Sequence, residues 1–203
     1  MSRLFAAIYD RVLAASEEAG LRAERAGLLA QARGDVVELG AGTGLNLEHY
    51  DRTAVGRLVL TEPDPHMAKR LRERVGGDPA IEVVEAGAER LPLEDDSVDT
   101  VVATLVLCTI PDPEAALREA ARVLRPGGRL LALEHVRSED AGLAKWQDRL
   151  ERPWGWVAGG CHPNRNTRAT LEASPLRLVE TRATVMPKAT PLVRPAMVAV
   201  AEV

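Results

Sequence analysis

The chain has 203 residues, enough for one domain with a substantial core. Its formal net charge is -4 and its 26 basic residues are spread along the sequence, which excludes the dense basic patch of a nucleic-acid binder. Two Cys 53 positions apart exclude a disulfide framework, acids come too early for a signal peptide, and the longest uncharged run (100–110) is too short to span a bilayer. The expectation is therefore a cytoplasmic protein with no integral membrane association.

Apolar residues at 4, 5, 8, 9, 12 and 13 recur with helical spacing, and a second helical run covers roughly 18–32, ending at Gly34. DVVELG (35–40) is a short apolar strand entering a Gly-rich turn, and 45–50 suits the start of a helix. RLVLTE (57–62) is the next strand. PHMAKRLRERV (65–75) is a helix with Pro near its start and Gly76-Gly77 after its end. IEVVEA (81–86) and SVDTVVATLVL (97–107) hold further strands. PEAALREAARVL (113–124) is a helix closed by Pro126-Gly127-Gly128, and RLLALEHV (129–136) is a fifth strand. Strands alternating with helices predict an α/β fold whose parallel sheet is covered on both faces. LRLVETRATV (176–185) and AMVAVAEV (196–203) have no helix between them and predict an antiparallel pair at one sheet edge. The segment 137–175 reads as irregular.

ELGAGTG (38–44) is the strongest chemical signal. Gly40, Gly42 and Gly44 allow tight turning and close approach of a ligand between a strand and a helix. The GxGxG spacing differs from the GxGxxG of a nicotinamide site, whose third glycine falls here on Leu45. Glu62 ends the second strand, where an acid accepts from ribose hydroxyls. Either feature alone has an ordinary reading, as a packing turn or a solvated acid. The pair at this spacing is far more specific.

ELGAGTG, LTEPDPHM, GAERLPLEDDSVD and VLRPGGRLLALEH together resemble the class I S-adenosylmethionine-dependent methyltransferases over roughly residues 34–136. The resemblance implies a three-layer Rossmann-like fold, with a seven-stranded, mostly parallel sheet and an antiparallel C-terminal strand pair. It also implies S-adenosylmethionine as cofactor and S-adenosylhomocysteine as product. Gly40, Ala41, Gly42 and Gly44 wrap the methionine part, with Glu38 under its ammonium group. Glu62 holds the ribose, Pro63 lies along the adenine, and Ala88 and Glu89 border the adenine edge. Thr104 lies near the transferred methyl. One departure is Gly87, where many relatives have an adenine-contacting Asp; Glu89 or a backbone carbonyl is left to replace it. TLVLCTIPDP (104–113), LEHV (133–136) and the Trp-rich run from 146 to 161 are similar to the small-thiol S-methyltransferases of the methyltransferase-like group and their bacterial relatives. The domain then divides into a helical lid (1–33), a cofactor-binding core (34–136), an acceptor-cover insertion (137–175) and the strand pair (176–203).

Methyl transfer from a sulfonium is an in-line displacement, so positioning the acceptor is the protein's main task. A thiol with pKa near 8.5 needs only a mild base, whereas a hydroxyl needs a stronger one. His135, at the carboxyl end of strand five, is the candidate base; alternatively it hydrogen-bonds a loop. Glu134 faces the other way. Cys108 is a pocket residue, a reactive thiol or a small buried apolar group. Cys161-His162 hints at a metal, but two Cys and four scattered His give no zinc ligand set, and none is expected. Trp146 has helical neighbours and reads as packing. Trp154 and Trp156 read as lying beyond that helix and walling the acceptor pocket, with Tyr9, beside Phe5 and Ile8, on the lid. The expected partner is a small-molecule methyl acceptor, a thiol slightly ahead of O-, N- or C-acceptors such as a secondary metabolite, quinone precursor or lipid head group. Competing readings are a non-catalytic cofactor-binding partner and, more distantly, a nicotinamide dehydrogenase.

Overall fold

The computed structural model describes the backbone of residues 3–203 and the side chains of residues 9–203. Phe5 and Ile8 lie outside the described side chains. Strands β1 (Gly34–Leu39), β2 (Val55–Thr61), β3 (Ile81–Val84), β4 (Val98–Thr104), β5 (Leu124–His135), β6 (Arg177–Val185) and β7 (Pro195–Glu202) form one sheet in the order β3-β2-β1-β4-β5-β7-β6. The first five are parallel, and β7 runs antiparallel between β5 and β6.

Period-two alternation sorts the strand side chains into two cores. Val37, Val101, Leu130 and Ala199 face one side and pack with α4 (Pro113–Val123) and α6 (Thr167–Glu172). Val36, Val102, Leu131 and Val200 face the other and pack with α2 (Arg22–Leu29) and α3 (Pro65–Val75). Burial on both faces explains why the central strands are almost continuously apolar. The helices have readable ends. Asp64 caps α3 by accepting from the His66 and Met67 amides, Pro65 takes the first turn, and Gly76 closes it at φ 65°. Asp112 and Pro113 start α4 in the same way.

Four expectations need correction. Residues 45–50 form no α-helix, only a tight turn at Leu47–His49. The second helical run is shorter than 18–32, because Gly20 at φ 141° breaks it ahead of α2. The fifth strand starts at Leu124 rather than 129, opposite Val98, before a register shift brings Arg129 opposite Thr100. The segment 137–175 is largely helical. Asp140 accepts from Leu143 N at 2.7 Å and starts α5 (Ala141–Val157), which runs through Pro153 and contains Trp154 and Trp156. Preceding α2, α1 covers Arg3–Ser16.

Candidate active site

The strand order reverses between β1 and β4, and open α/β sheets hold ligands in the crevice beyond the carboxyl ends at such a point. A cavity of about 450 Å³ lies there, within the roughly 300–1,000 Å³ of small-molecule sites. The ends of the parallel strands supply its floor: Gly40 and Gly42 after β1, Glu62 and Pro63 after β2, Ala88 and Glu89 after β3, Cys108 after β4, and His135 on β5. Tyr9 of α1, Trp154 of α5 and Lys188 of the segment before β7 stand on the cover side.

The glycine turn is shaped for close approach. Gly40 has φ +56°, and a Cβ there would stand 2.3 Å from Val106 Cγ2. Glu62 is buried beside the turn. Its Oε2 accepts from Gly42 N at 2.9 Å and its Oε1 from Asp64 N at 2.8 Å. Each oxygen keeps lone-pair capacity for a ligand hydroxyl. Burial pushes this carboxyl up, against those two backbone hydrogen bonds. At Gly87, an added Cβ would come within 3.0 Å of Glu89 Oε2. The Glu89 carboxylate therefore occupies the space beside Gly87, where the resemblance expects an Asp. An adenosyl group fits these features: a bare backbone turn, an acid with free lone pairs, and an acidic edge two residues beyond the third strand's exit turn.

Four residues expected at the cofactor do not line the cavity. Ala41 is buried, with its amide on Thr61 O at 2.8 Å. Gly44 packs against Leu47 and Leu71. Glu38 and Thr104 lie in a buried polar network beneath the turn. Arg25 Nε donates to Glu17 at 2.9 Å, and its Nη1 donates to Asn46 Oδ1 and Thr104 Oγ1, both at 2.9 Å. Asn46 Nδ2 donates to Glu38 Oε1 at 2.9 Å and to Thr104 Oγ1 at 2.8 Å, while the Tyr50 hydroxyl donates to Glu38 Oε2 at 2.6 Å. Burial pushes the Glu38 carboxyl up to about 7, and the Tyr50 and Asn46 bonds pull it back. The two carboxyl and hydroxyl side chains are consumed in holding the ends of β1 and β4 to α2. Arg25, Asn46 and Tyr50 carried no sequence signal of this role.

The other end of the cavity is built by the turn after β4. Leu105 has φ 54°, an uncommon conformation for a branched side chain. It aims the Val106 and Leu107 amides together at Glu134 Oε1, at 2.9 and 3.0 Å. Arg165 Nη1 clamps the same turn through the Leu107 and Ile110 carbonyls, both at 2.6 Å. Cys108 is thereby presented to the cavity, and the His162 amide on Cys108 O at 2.9 Å brings in the loop after α5. Gln147, fully buried, donates to Val136 O and Leu192 O and holds α5 against the end of β5.

Those restraints gather Cys108, His135 and Cys161, all buried, with one ligating atom of each within 4.8 Å of the others. His135 Nε2 stands 3.0 Å from Cys161 Sγ, which also accepts from Trp154 Nε1 at 3.3 Å. Hydrogen bonding from Cys108 first, then from His135 and Trp154, draws the Cys161 thiol well down; the same pairing and burial push Cys108 up. The sequence kept these residues far apart, and counting ligands along it missed the cluster. Tyr9 lines the cavity with its phenol pushed up by burial. Trp156 does not wall the pocket: it is 85% exposed, because residues two apart on a helix face different ways. Trp146 is not core either, at 55% exposed, with Arg149 5.8 Å from its ring centroid.

Residues 37–132 match the family model described as a methyltransferase domain. The chain is 37% identical over 142 residues to human thiol S-methyltransferase TMT1B, covering 68% of this chain but only 57% of that protein's length. It is 34% identical over 154 residues to the phosphatidylethanolamine N-methyltransferase of Cereibacter sphaeroides, covering 74% of this chain and 75% of that one. An S-adenosylmethionine-dependent methyltransferase structure from Mesorhizobium loti superposes with TM-score 0.66 at 20% identity, over 93% and 98% of the two chains. Among the described residues no helix is long and apolar enough to cross a membrane. With the glycine turn and Glu62 at the crevice of this sheet, the chain belongs to the S-adenosylmethionine-dependent methyltransferases.

Proposed function

We propose that the protein methylates a small apolar thiol. The observation that carries this reading is the far end of the cavity, where a buried imidazole and two sulfurs meet. The bound cofactor supplies an activated methyl on a sulfonium. The chain's residues position the partners. Gly40, Gly42, Glu62 and Pro63 seat the adenosyl and methionyl parts at one end, with Ala88 and Glu89 along the adenine. Cys108, His135 and Trp154 shape the acceptor space at the other, under Tyr9. A thiol near pKa 8.5 is already partly ionised at neutral pH, so His135 has only a mild task in receiving its proton.

The mouth supports an apolar acceptor. Val12 of α1 and Val157 of α5 line the cavity yet are 64% and 69% exposed, apolar surface at a rim that also carries Lys188. The thiol S-methyltransferase relative agrees with a sulfur acceptor, while the phosphatidylethanolamine N-methyltransferase relative keeps an amine as the second reading. Incubation with methyl-labelled S-adenosylmethionine and a panel of alkyl thiols, aryl thiols, phenols, amines and dispersed phosphatidylethanolamine separates them. Label on thiols is expected. Label on a phenol or on the lipid amine, with none on thiols, overturns the reading.

A further inference from the structure

Cys108, His135 and Cys161 come from the turn after β4, the end of β5 and the loop after α5. Methyl transfer to a thiol employs at most the imidazole and leaves two buried sulfurs without a task. Their arrangement is that of a ligand set. One atom from each lies within 4.8 Å of the others, and all three side chains line the acceptor end of the cavity. Around a tetrahedral zinc ion, with Zn–S about 2.3 Å and Zn–N about 2.0–2.1 Å, neighbouring ligand atoms stand about 3.5–3.8 Å apart. The His135 Nε2–Cys161 Sγ separation of 3.0 Å and the 4.8 Å limit on the other pairs bracket that spacing.

The donors also suit the ion. Two sulfurs and one imidazole match a borderline-soft cation rather than magnesium or calcium, and three protein ligands with one open position are the pattern of reactive zinc sites. The Glu134 carboxylate, next to His135 in the chain, turns its Oε1 to the Val106 and Leu107 amides, and its Oε2 is buried without a hydrogen-bond partner among the described residues. Each ligand is held from behind. Cys108 is fixed through its carbonyl and the Arg165 clamp, Cys161 by its amide on Ala158 O at 3.2 Å, and His135 by the sheet. His135 is buried, and its Nδ1 has no hydrogen-bond partner among the described residues. Its Nε2, which faces the Cys161 sulfur, is the nitrogen that a metal here takes.

We propose that Cys108, His135 and Cys161 form a zinc site whose open fourth position faces the acceptor space and takes the acceptor's sulfur. This inference rests on the thiol reading and replaces His135 as base by His135 as ligand. The acceptor R–SH binds the ion as thiolate and its proton leaves to solvent. A sulfur lone pair forms the new S–CH3 bond while the methyl–sulfonium bond breaks. That bonding pair stays on the departing sulfur, giving neutral S-adenosylhomocysteine and the thioether R–S–CH3. Zinc changes no oxidation state, so no oxidant or reductant enters. The thioether is a weaker ligand than the thiolate and gives up the position.

The test is metal retention by the reduced full chain. After equilibration with zinc and exhaustive dialysis, elemental analysis is expected to find about one ion per chain. Cys108→Ser and Cys161→Ser are expected to lose it, and His162→Ala, outside the cluster, to keep it. Because a serine variant can fail to fold, the unmodified chain is also loaded with cobalt(II). Intense visible bands of tetrahedral cobalt with thiolate charge transfer are expected, shifting when an alkyl thiol is added and not when a phenol is. No retained zinc with a weak octahedral cobalt spectrum overturns the proposal, as does a Cys108–Cys161 disulfide formed in air by a chain that never held metal. Thiol methylation undiminished in chelator-treated, metal-free protein overturns the zinc role and leaves the thiol reading standing. Zinc retained while only phenols or amines are methylated supports the metal site and overturns the thiol reading beneath it.

Discussion

The two tryptophans of WGW separate sharply once their surroundings are known. Trp154 lines the cavity and donates to Cys161, whereas Trp156 stands in solvent. Trp154→Ala is expected to raise the acceptor KM about tenfold, through lost apolar contact of about 1.5 kcal/mol. Trp156→Ala is expected to change neither KM nor stability by more than about 0.5 kcal/mol. Steady-state kinetics on the two variants checks this, and equal effects would contradict it. Glu62 was legible from its place at the end of the second strand together with the glycine turn before it. Its carboxylate organises the turn through Gly42 and Asp64 as well as facing the cavity. Glu62→Gln removes a charge-assisted acceptor worth about 1.5–3 kcal/mol, so calorimetry is expected to show a 10- to 100-fold weaker affinity for S-adenosylhomocysteine, roughly. It is the family resemblance that implies Glu38 and Thr104 as cofactor neighbours. The sequence does not reveal that Arg25, Asn46 and Tyr50 occupy their polar atoms.

Among the elements, α3 and α4 were readable because Asp-Pro starts, apolar spacing and a glycine or strand beyond the end all agree. The last turns of α5 are hidden by Pro153 and Gly155, ordinarily breakers, whereas Asp140 marks its start. The N-terminal helices are tied to the sheet by polar contacts that periodicity cannot show. Asp10 of α1 accepts from the Thr43 hydroxyl in the glycine turn and, at 2.5 Å, from Arg74 of α3. Arg25 of α2 joins Glu17 to Asn46 and Thr104 in a buried setting. Arg25→Ala leaves Glu17 a buried charge without its partner, and urea unfolding is expected to show a loss of about 3–5 kcal/mol. Arg25→Lys is expected to rescue little, because one ammonium cannot reproduce the guanidinium fork. A loss below about 0.5 kcal/mol would show that the network does not hold the helix to the turn.

For the whole molecule, strand and helix alternation was enough to give a sheet covered on both faces with an antiparallel closing pair. It could not show that Cys108, His135 and Cys161 converge, because contacts between residues so far apart depend on how the loops after β4 and α5 pack. One global property follows from Glu38. Burial raises its carboxyl from 4.5 to about 7, so the folded chain holds a proton that the unfolded chain has released. Stability from this group is complete below about 4.5 and is lost as pH rises through about 7, a change of about 3 kcal/mol. Between pH 5 and 8, Glu38→Gln is expected to show a correspondingly smaller fall in unfolding free energy. A crystal structure with S-adenosylhomocysteine bound shows where the methyl is delivered. The ribose is expected on Glu62, the adenine along Pro63 and Glu89, and the thioether sulfur directed at the space bounded by Cys108, His135 and Trp154. A ligand bound outside this cavity, or a sulfur directed away from that cluster, would contradict it.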